Sequence, residues 1–330
     1  MTFLSEYGLF LAKAVTVVVA VVALVALVAR VAGRRRTGRG LAVKHLNRAF
    51  EDLSFALRSQ TMPRKAARAE AKARRKARKG ADAAPPAQRP RVYVLNFHGD
   101  LKASQVAALR EEVTAVVQVA RPGDEVLVRL ENPGGTIPDQ GLAAAQLLRV
   151  RERGLRLVVA VDKVAASGGY MMACVADRIL AAPFAVVGSI GVITEVPNFY
   201  RLLDRAGIEF EQVTGGQFKR TVTPFTRTTP EKREKLTDQV ADVHALFKEF
   251  VARNRPAVDV ERVGTGEYWY GSRAVDLGLV DELVTSDDYL LARAADADLY
   301  AVSWTPGRKP RQRVAAFLQS VAATLVADRS

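Results

Sequence analysis

The sequence predicts an α/β domain carried behind one membrane-spanning helix, and three observations predict it. From Arg91 onward, short apolar, β-branched runs alternate with longer stretches of helical character, the pattern of a sheet with both faces covered. The runs at 125–130 and 155–161 hold consecutive apolar residues, as buried strands do. Ahead of all this, residues 14–29 consist of Ala, Val and Leu with a single Thr.

Extended through Tyr7 and Ala32, the N-terminal run covers 26 residues, interrupted by Lys13 and Arg30, whose stems can carry their charges to the interfaces. That is long enough to span a bilayer. A cleaved signal peptide would place its basic residues ahead of the apolar run. Here Arg30, Arg34, Arg35, Arg36, Arg39 and Lys44 follow it, which favours a retained anchor. The positive-inside rule then predicts an outer N-terminus and a cytoplasmic domain.

Residues 33–90 read as a basic, Ala-rich juxtamembrane linker. Between Arg30 and Arg91 fall 19 of the 49 Lys and Arg but 4 of the 35 Asp and Glu, so the rest of the chain is close to neutral. The densest part, 64–79, contains one acid, Glu70, and can be helical. Its expected partner is the anionic head groups beside the anchor, each basic residue contributing ~1 kcal/mol near such a surface. Nucleic acid is the alternative partner, but no aromatic residue interleaves these charges. Residues 83–90, with three prolines, form a stiff connection.

The globular domain is expected over 91–296. Its strands are placed at 91–97, 125–130, 155–161, 179–181, 185–187, 192–196 and 208–213. Helices are placed at 104–120, 139–151, just after Ser167, near 198–205 and at 230–254. Residues 297–330 are expected to end the chain as a strand and an amphipathic tail. In the tail Val314, Phe317, Leu318, Val321 and Leu325 recur at helical spacing behind a basic run. At ~14 residues it is too short to span, and suits a membrane-surface helix or an intersubunit contact.

Ser167 lies in Lys163-Val164-Ala165-Ala166-Ser167-Gly168-Gly169-Tyr170, between a strand-like run and an apolar, breaker-free stretch. It therefore occupies a strand-to-helix junction. Two glycines let the backbone turn sharply there, and the free N–H groups of a helix start can stabilise an oxyanion. An N-cap serine is the plainer reading, and one serine can fill both roles. A second bend, Glu131-Asn132-Pro133-Gly134-Gly135-Thr136, closes the run at 125–130. An N–H from Gly134 or Gly135, with that of Gly168, would make a two-donor oxyanion hole, in which losing one donor costs ~3 kcal/mol. An ordinary Pro-Gly turn accounts for the same dipeptide.

The three histidines, His45, His98 and His244, stand in no recognisable catalytic context. The single cysteine, Cys174, excludes an intramolecular disulfide and follows Met171-Met172 in an apolar stretch, as a core residue does. No Cys/His group has zinc-ligand spacing and no phosphate loop is present, so neither metal nor nucleotide is expected.

Five segments in order resemble serine peptidase family S49, the signal-peptide-peptidase A group. They are Pro133-Gly134-Gly135, Ala165-Ala166-Ser167-Gly168-Gly169-Tyr170, Gly188-Ser189-Ile190-Gly191-Val192, Gly216-Gln217-Phe218-Lys219-Arg220, and the stretch 270–281 that opens Tyr270-Gly271-Ser272. The resemblance, to the single-repeat, membrane-anchored form, runs from residue 4 to about 288. It implies a crotonase-like fold shared with the Clp protease. It also implies Ser167 as nucleophile, Lys219 as general base, and Gly134 and Gly168 near the oxyanion. Ser189 would either orient Lys219 or be a loop hydroxyl.

A lysine acts as a base near neutrality only when its ammonium form is disfavoured by ~4 kcal/mol, which burial or a neighbouring positive charge can supply. Phe218 and Arg220 beside Lys219 would act in that direction, whereas a solvated surface lysine is the plain alternative. The residue before Pro133, often serine in the family, is Asn132 here. Better-known members work on the outer side of the inner membrane, against the charge rule, so a periplasmic domain is the alternative location. Members with one such unit assemble into rings, and the dyad can form within a chain or across neighbours.

The expected activity is that of a membrane serine endopeptidase on apolar peptides, such as signal-peptide remnants or membrane-protein fragments. Two other classes stay open. A crotonase-fold acyl-CoA hydratase or hydrolase would not require Lys219. A non-catalytic membrane quality-control scaffold would tolerate loss of Ser167.

Overall fold

A computed structural model describes residues 40–83 and 89–306 of the chain, with Gly8, Lys13, Val15 and Thr16. Among the described residues no helix is long and apolar enough to cross a membrane. The span expected over 7–32 lies almost wholly outside them, as do the arginines at 30–39 and the tail expected over 308–325. The chain divides into two compact units, Val43–Ser303 and one combining its two ends, and the site lies in the first.

In chain order the elements are β1 (Gly40–His45), α1 (Leu46–Thr61), α2 (Arg64–Ala83), β2 (Arg91–His98), α3 (Val106–Val119), β3 (Glu125–Glu131), α4 (Ile137–Glu152) and β4 (Arg156–Val161). Then come β5 (Val164–Ala166), α5 (Gly168–Ala173), β6 (Arg178–Ala181), β7 (Val186–Gly188), α6 (Tyr200–Arg205) and α7 (Pro230–Asn254). The chain continues through β8 (Tyr268–Tyr270), β9 (Glu282–Leu283), α8 (Ser286–Arg293) and β10 (Asp298–Thr305).

Seven strands form the main sheet in the order β1-β10-β2-β3-β4-β6-β9. From β10 across to β9 every pairing is parallel, with Val94 opposite Leu127 and Leu127 opposite Val158. Successive side chains alternate between the faces. Tyr93, Leu95, Phe97, Val126, Val128 and Val159 face Leu109, Val113, Leu147 and Tyr170 of α3, α4 and α5. Val92, Val94, Leu127, Val158 and Ala160 face Tyr289 and Leu290 of α8, with Leu46 and Phe50 of α1 packed alongside. Burial on both faces is why these strands read as continuous apolar runs. Each buried Val or Leu contributes about 1.5–3 kcal/mol. A small sheet, β5-β7-β8, stands beside the main one, with β5 and β7 parallel and β8 antiparallel.

Two expected strands do not form. Residues 192–196 and 208–213 are irregular and largely exposed, Ile193 at 83% and Val213 at 89%. Apolar content alone does not make a strand where no sheet edge takes up the backbone hydrogen bonds. The stretch read as a linker is also more structured than its composition suggested. It holds β1, α1 and α2, and α1 adds to the cover of the sheet.

Candidate active site

β5 ends at Ala166 and α5 begins at Gly168, so Ser167 is the hinge between them. Its N–H donates to the Gly188 carbonyl at the end of β7 (2.8 Å), and its carbonyl accepts the Met171 N–H (3.0 Å). Held at both ends, Ser167 adopts φ 52° and ψ −121°. A non-glycine residue in such a region stores about 1–3 kcal/mol of strain. The hydroxyl makes no capping hydrogen bond to α5, so the plain N-cap reading does not explain the serine.

The second bend packs directly on it. A Cβ placed at Gly134 would lie 2.8 Å from Ser167 Cβ and 3.0 Å from the Gly168 nitrogen. Gly134 also has φ +99°, so no other residue fits without strain. A Cβ at Gly168 would meet Gln140 at 2.4 Å, so this helix start also requires glycine.

Gly134 and Gly168 are thus brought together beside Ser167, but their expected roles separate. The Gly134 N–H already donates to Asn132 Oδ1 (2.9 Å). The Gly135 N–H, the other donor the bend offers, has no acceptor among the described residues. The Gly168 N–H opens α5 and has no intrahelical acceptor.

Asn132 and Gln140 are residues that sequence reasoning undervalued. Asn132 is fully buried, and its Nδ2 donates to Gln140 Oε1 (2.8 Å). Gln140 Nε2 donates in turn to the Asp100 carbonyl (3.0 Å). Asn132 also bridges to β5 through Val164 and Ala166 (2.8 and 3.0 Å). The available signal was an amide side chain two residues before a glycine at a strand end, a combination that favours an Asx-type turn.

Ser189 directly follows Gly188, whose carbonyl holds Ser167. It has φ 51°, and its N–H donates to Glu267 O (2.6 Å). Lys219 lies elsewhere in character, on an exposed irregular segment before α7. Its N–H donates to Gly216 O (3.2 Å), while Gln217 Nε2 donates to Glu231 Oε1 of α7 (2.7 Å). Phe218, expected to help desolvate Lys219, instead lies under the Lys235 ammonium at 5.5 Å. Among the described residues no hydrogen bond joins the Lys219 side chain to Ser167 or Ser189.

Of the remaining chemistry-bearing groups, His244 Nε2 lies 3.1 Å from Ile190 O, next to Ser189. Cys174 is fully buried, and burial pushes its thiol up and keeps it protonated. Tyr170 is likewise raised by burial, and its hydroxyl donates to Leu279 O (3.1 Å). Both belong to the core.

Comparison with known proteins gives matches along most of this chain. Residues 2–147 match the description "Peptidase family S49 N-terminal" and residues 149–300 match "Peptidase family S49". The probable protease SohB of Haemophilus influenzae is 41% identical over 313 residues, covering 91% of this chain and 89% of that protein. The probable protease SohB of Buchnera aphidicola from Acyrthosiphon pisum is 48% identical over 226 residues, covering 68% and 67%. Among solved structures, a membrane-bound stomatin-specific protease with a substrate peptide aligns at 11% identity and a TM-score of 0.43, over 71% of this chain and all of that one.

Proposed function

The chain belongs to peptidase family S49, as one of its SohB-type members, and from that premise we propose that it is a membrane-anchored serine endopeptidase working through Ser167 and Lys219. The observation that carries the reading is Ser167 itself. It is strained, its hydroxyl does not cap the helix, and the Gly134 bend is packed against it.

In the proposed cycle, neutral Lys219 takes the proton from Ser167 Oγ as that oxygen bonds to the substrate's peptide carbon. The N–H groups of Gly168 and Gly135 receive the oxyanion, while Gly134 supplies the close approach that only glycine allows. Collapse expels the amine, which Lys219 protonates, and water then hydrolyses the acyl ester. Ser189, next to the Ser167 anchor point, orients the lysine.

Lys219 is exposed in the isolated chain, so its role as base requires cover, which a neighbouring copy in a homo-oligomeric ring supplies. The N-terminal apolar run anchors the chain in the bacterial inner membrane, with the domain on the cytoplasmic side that its arginines favour. Apolar peptides are the substrates, and the domain is of the crotonase and Clp-protease kind.

The test is hydrolysis of apolar fluorogenic peptides by the detergent-solubilised chain. Ser167→Ala and Lys219→Ala are each expected to lower turnover about 1,000-fold or more, with unchanged oligomeric state. Full turnover in Ser167→Ala would sink the reading.

A further inference from the structure

α2 carries charge on all sides in sequence, yet the structure divides it into two faces. Glu70, Arg74 and Arg78 recur at helical spacing and turn toward α1. Glu70 pairs with Arg58 (2.9 Å), while Arg74 and Arg78 pair with Asp52 (3.0 and 2.7 Å), and Arg74 also lies over the Phe55 ring at 4.5 Å. Arg78 further donates to Arg48 O, so α2 runs antiparallel to α1. These contacts occupy one side of the helix.

Arg64, Lys65, Arg68, Lys72, Arg75, Lys76 and Lys79 fall within the opposite third of the helical circumference. All seven are exposed, and among the described residues none has an ion-pair partner. Among the described side chains, the acids Glu51, Asp52 and Glu70 are engaged on the inner face. What remains is a cationic strip about 22 Å long at 1.5 Å per residue.

We propose that this strip is a docking surface for an anionic phospholipid bilayer, holding the α1–α2 hairpin flat on the membrane. The partner is identified by what the face offers and lacks. Residues 64–83 contain only Arg, Lys, Ala, Glu, Asp and Gly. There is no aromatic ring to stack on a base and no amide or hydroxyl to read one. A diffuse plane of negative charge matches seven long, flexible cations without requiring any specific geometry. The same chain carries the apolar run 14–29, which ends ten residues before β1. The proposal does not rest on the Ser167–Lys219 reading, since its readout involves no hydrolysis.

The experiment uses the full chain reconstituted in nanodiscs of pure phosphatidylcholine or with about 30% phosphatidylglycerol. Amine-labelling rates of single lysines are read by mass spectrometry. Lys65, Lys72, Lys76 and Lys79 are expected to label roughly three- to tenfold more slowly in the anionic discs, with Lys102 and Lys232 unchanged. The protection should vanish in about 0.5 M salt, where the screening length falls to a few ångströms. Equal labelling in both discs would overturn the proposal. So would protection by an added RNA or DNA oligonucleotide in the neutral discs with none from phosphatidylglycerol, which would assign the strip to nucleic acid.

Discussion

Asn132 decides the shape of the bend on which Ser167 rests. Its Oδ1 takes the Gly134 N–H, its Nδ2 holds Gln140, and its backbone joins β5 to the end of β3. Asn132→Ala would leave the Gly134 N–H and Gln140 Oε1 buried without partners, at about 1–3 kcal/mol of stability. The bend would also lose the hydrogen bond that fixes its distance from Ser167, and a displacement of about 1 Å can lower turnover ~100-fold. Asn132→Ala is therefore expected to lower kcat by about 10- to 100-fold with little change in KM. Thermal unfolding and steady-state kinetics measured together check this, and unchanged kcat would show that the bend holds itself. The sequence made the glycines legible because their spacing is local. It left Asn132 and Gln140 in the background because their value depends on a contact across two elements.

At the scale of elements, β2 and β3 are clamped where they begin. Asp124 accepts hydrogen bonds from the Arg91 N–H (2.9 Å), the Arg91 guanidinium (2.6 Å) and the Arg121 N–H (2.8 Å). Burial works against its charge, but the Arg91 hydrogen bond and the two backbone N–H groups outweigh it and hold the carboxyl below its ordinary 3.8. A carboxyl lowered on folding adds stability that is fully present above about pH 3.8 and is lost as pH falls through the native-state value. Asp124→Asn is expected to lose about 1.5–3 kcal/mol at pH 7 and to show a flatter acid limb. Urea unfolding at pH 7 and pH 3 tests this, and an acid limb equal to that of the parent chain would exclude Asp124 as its source.

The same strands show why much of the sheet was readable. Val126-Leu127-Val128 and Leu157-Val158-Val159 can satisfy two covered faces in only one way. The runs at 192–196 and 208–213 carry similar residues without a neighbouring edge, and periodicity does not report edges. α1 was missed for the opposite reason. Leu46, Phe50, Leu53 and Leu57 form a helical stripe, but the surrounding charge made the whole stretch resemble a linker.

For the whole molecule, residues 191–229 pose the largest unresolved packing demand. Ile193 and Val213 are almost fully exposed, and Phe210 and Phe225 (5.3 Å between ring centres) gather with Phe199 on the surface rather than in the core. Apolar groups concentrated in this way on a single chain mark a surface that another surface covers. Lys219 lies in the same segment, and as the proposed base it would need the same cover, because a lysine in water stays an ammonium. One event, the seating of a second copy over residues 191–229, would meet both demands. A contact between two different faces of identical copies closes into a ring when the rotation permits. Native mass spectrometry of the detergent-solubilised chain is therefore expected to show a closed oligomer. Ile193→Asp combined with Val213→Asp should shift it toward monomer and lower peptide hydrolysis about tenfold or more, while leaving the core and Ser167 in place. Assembly and hydrolysis should fall together across a concentration series, because each site becomes competent only when covered. A monomeric variant with full turnover would separate the two demands and require Lys219 to be desolvated within its own chain.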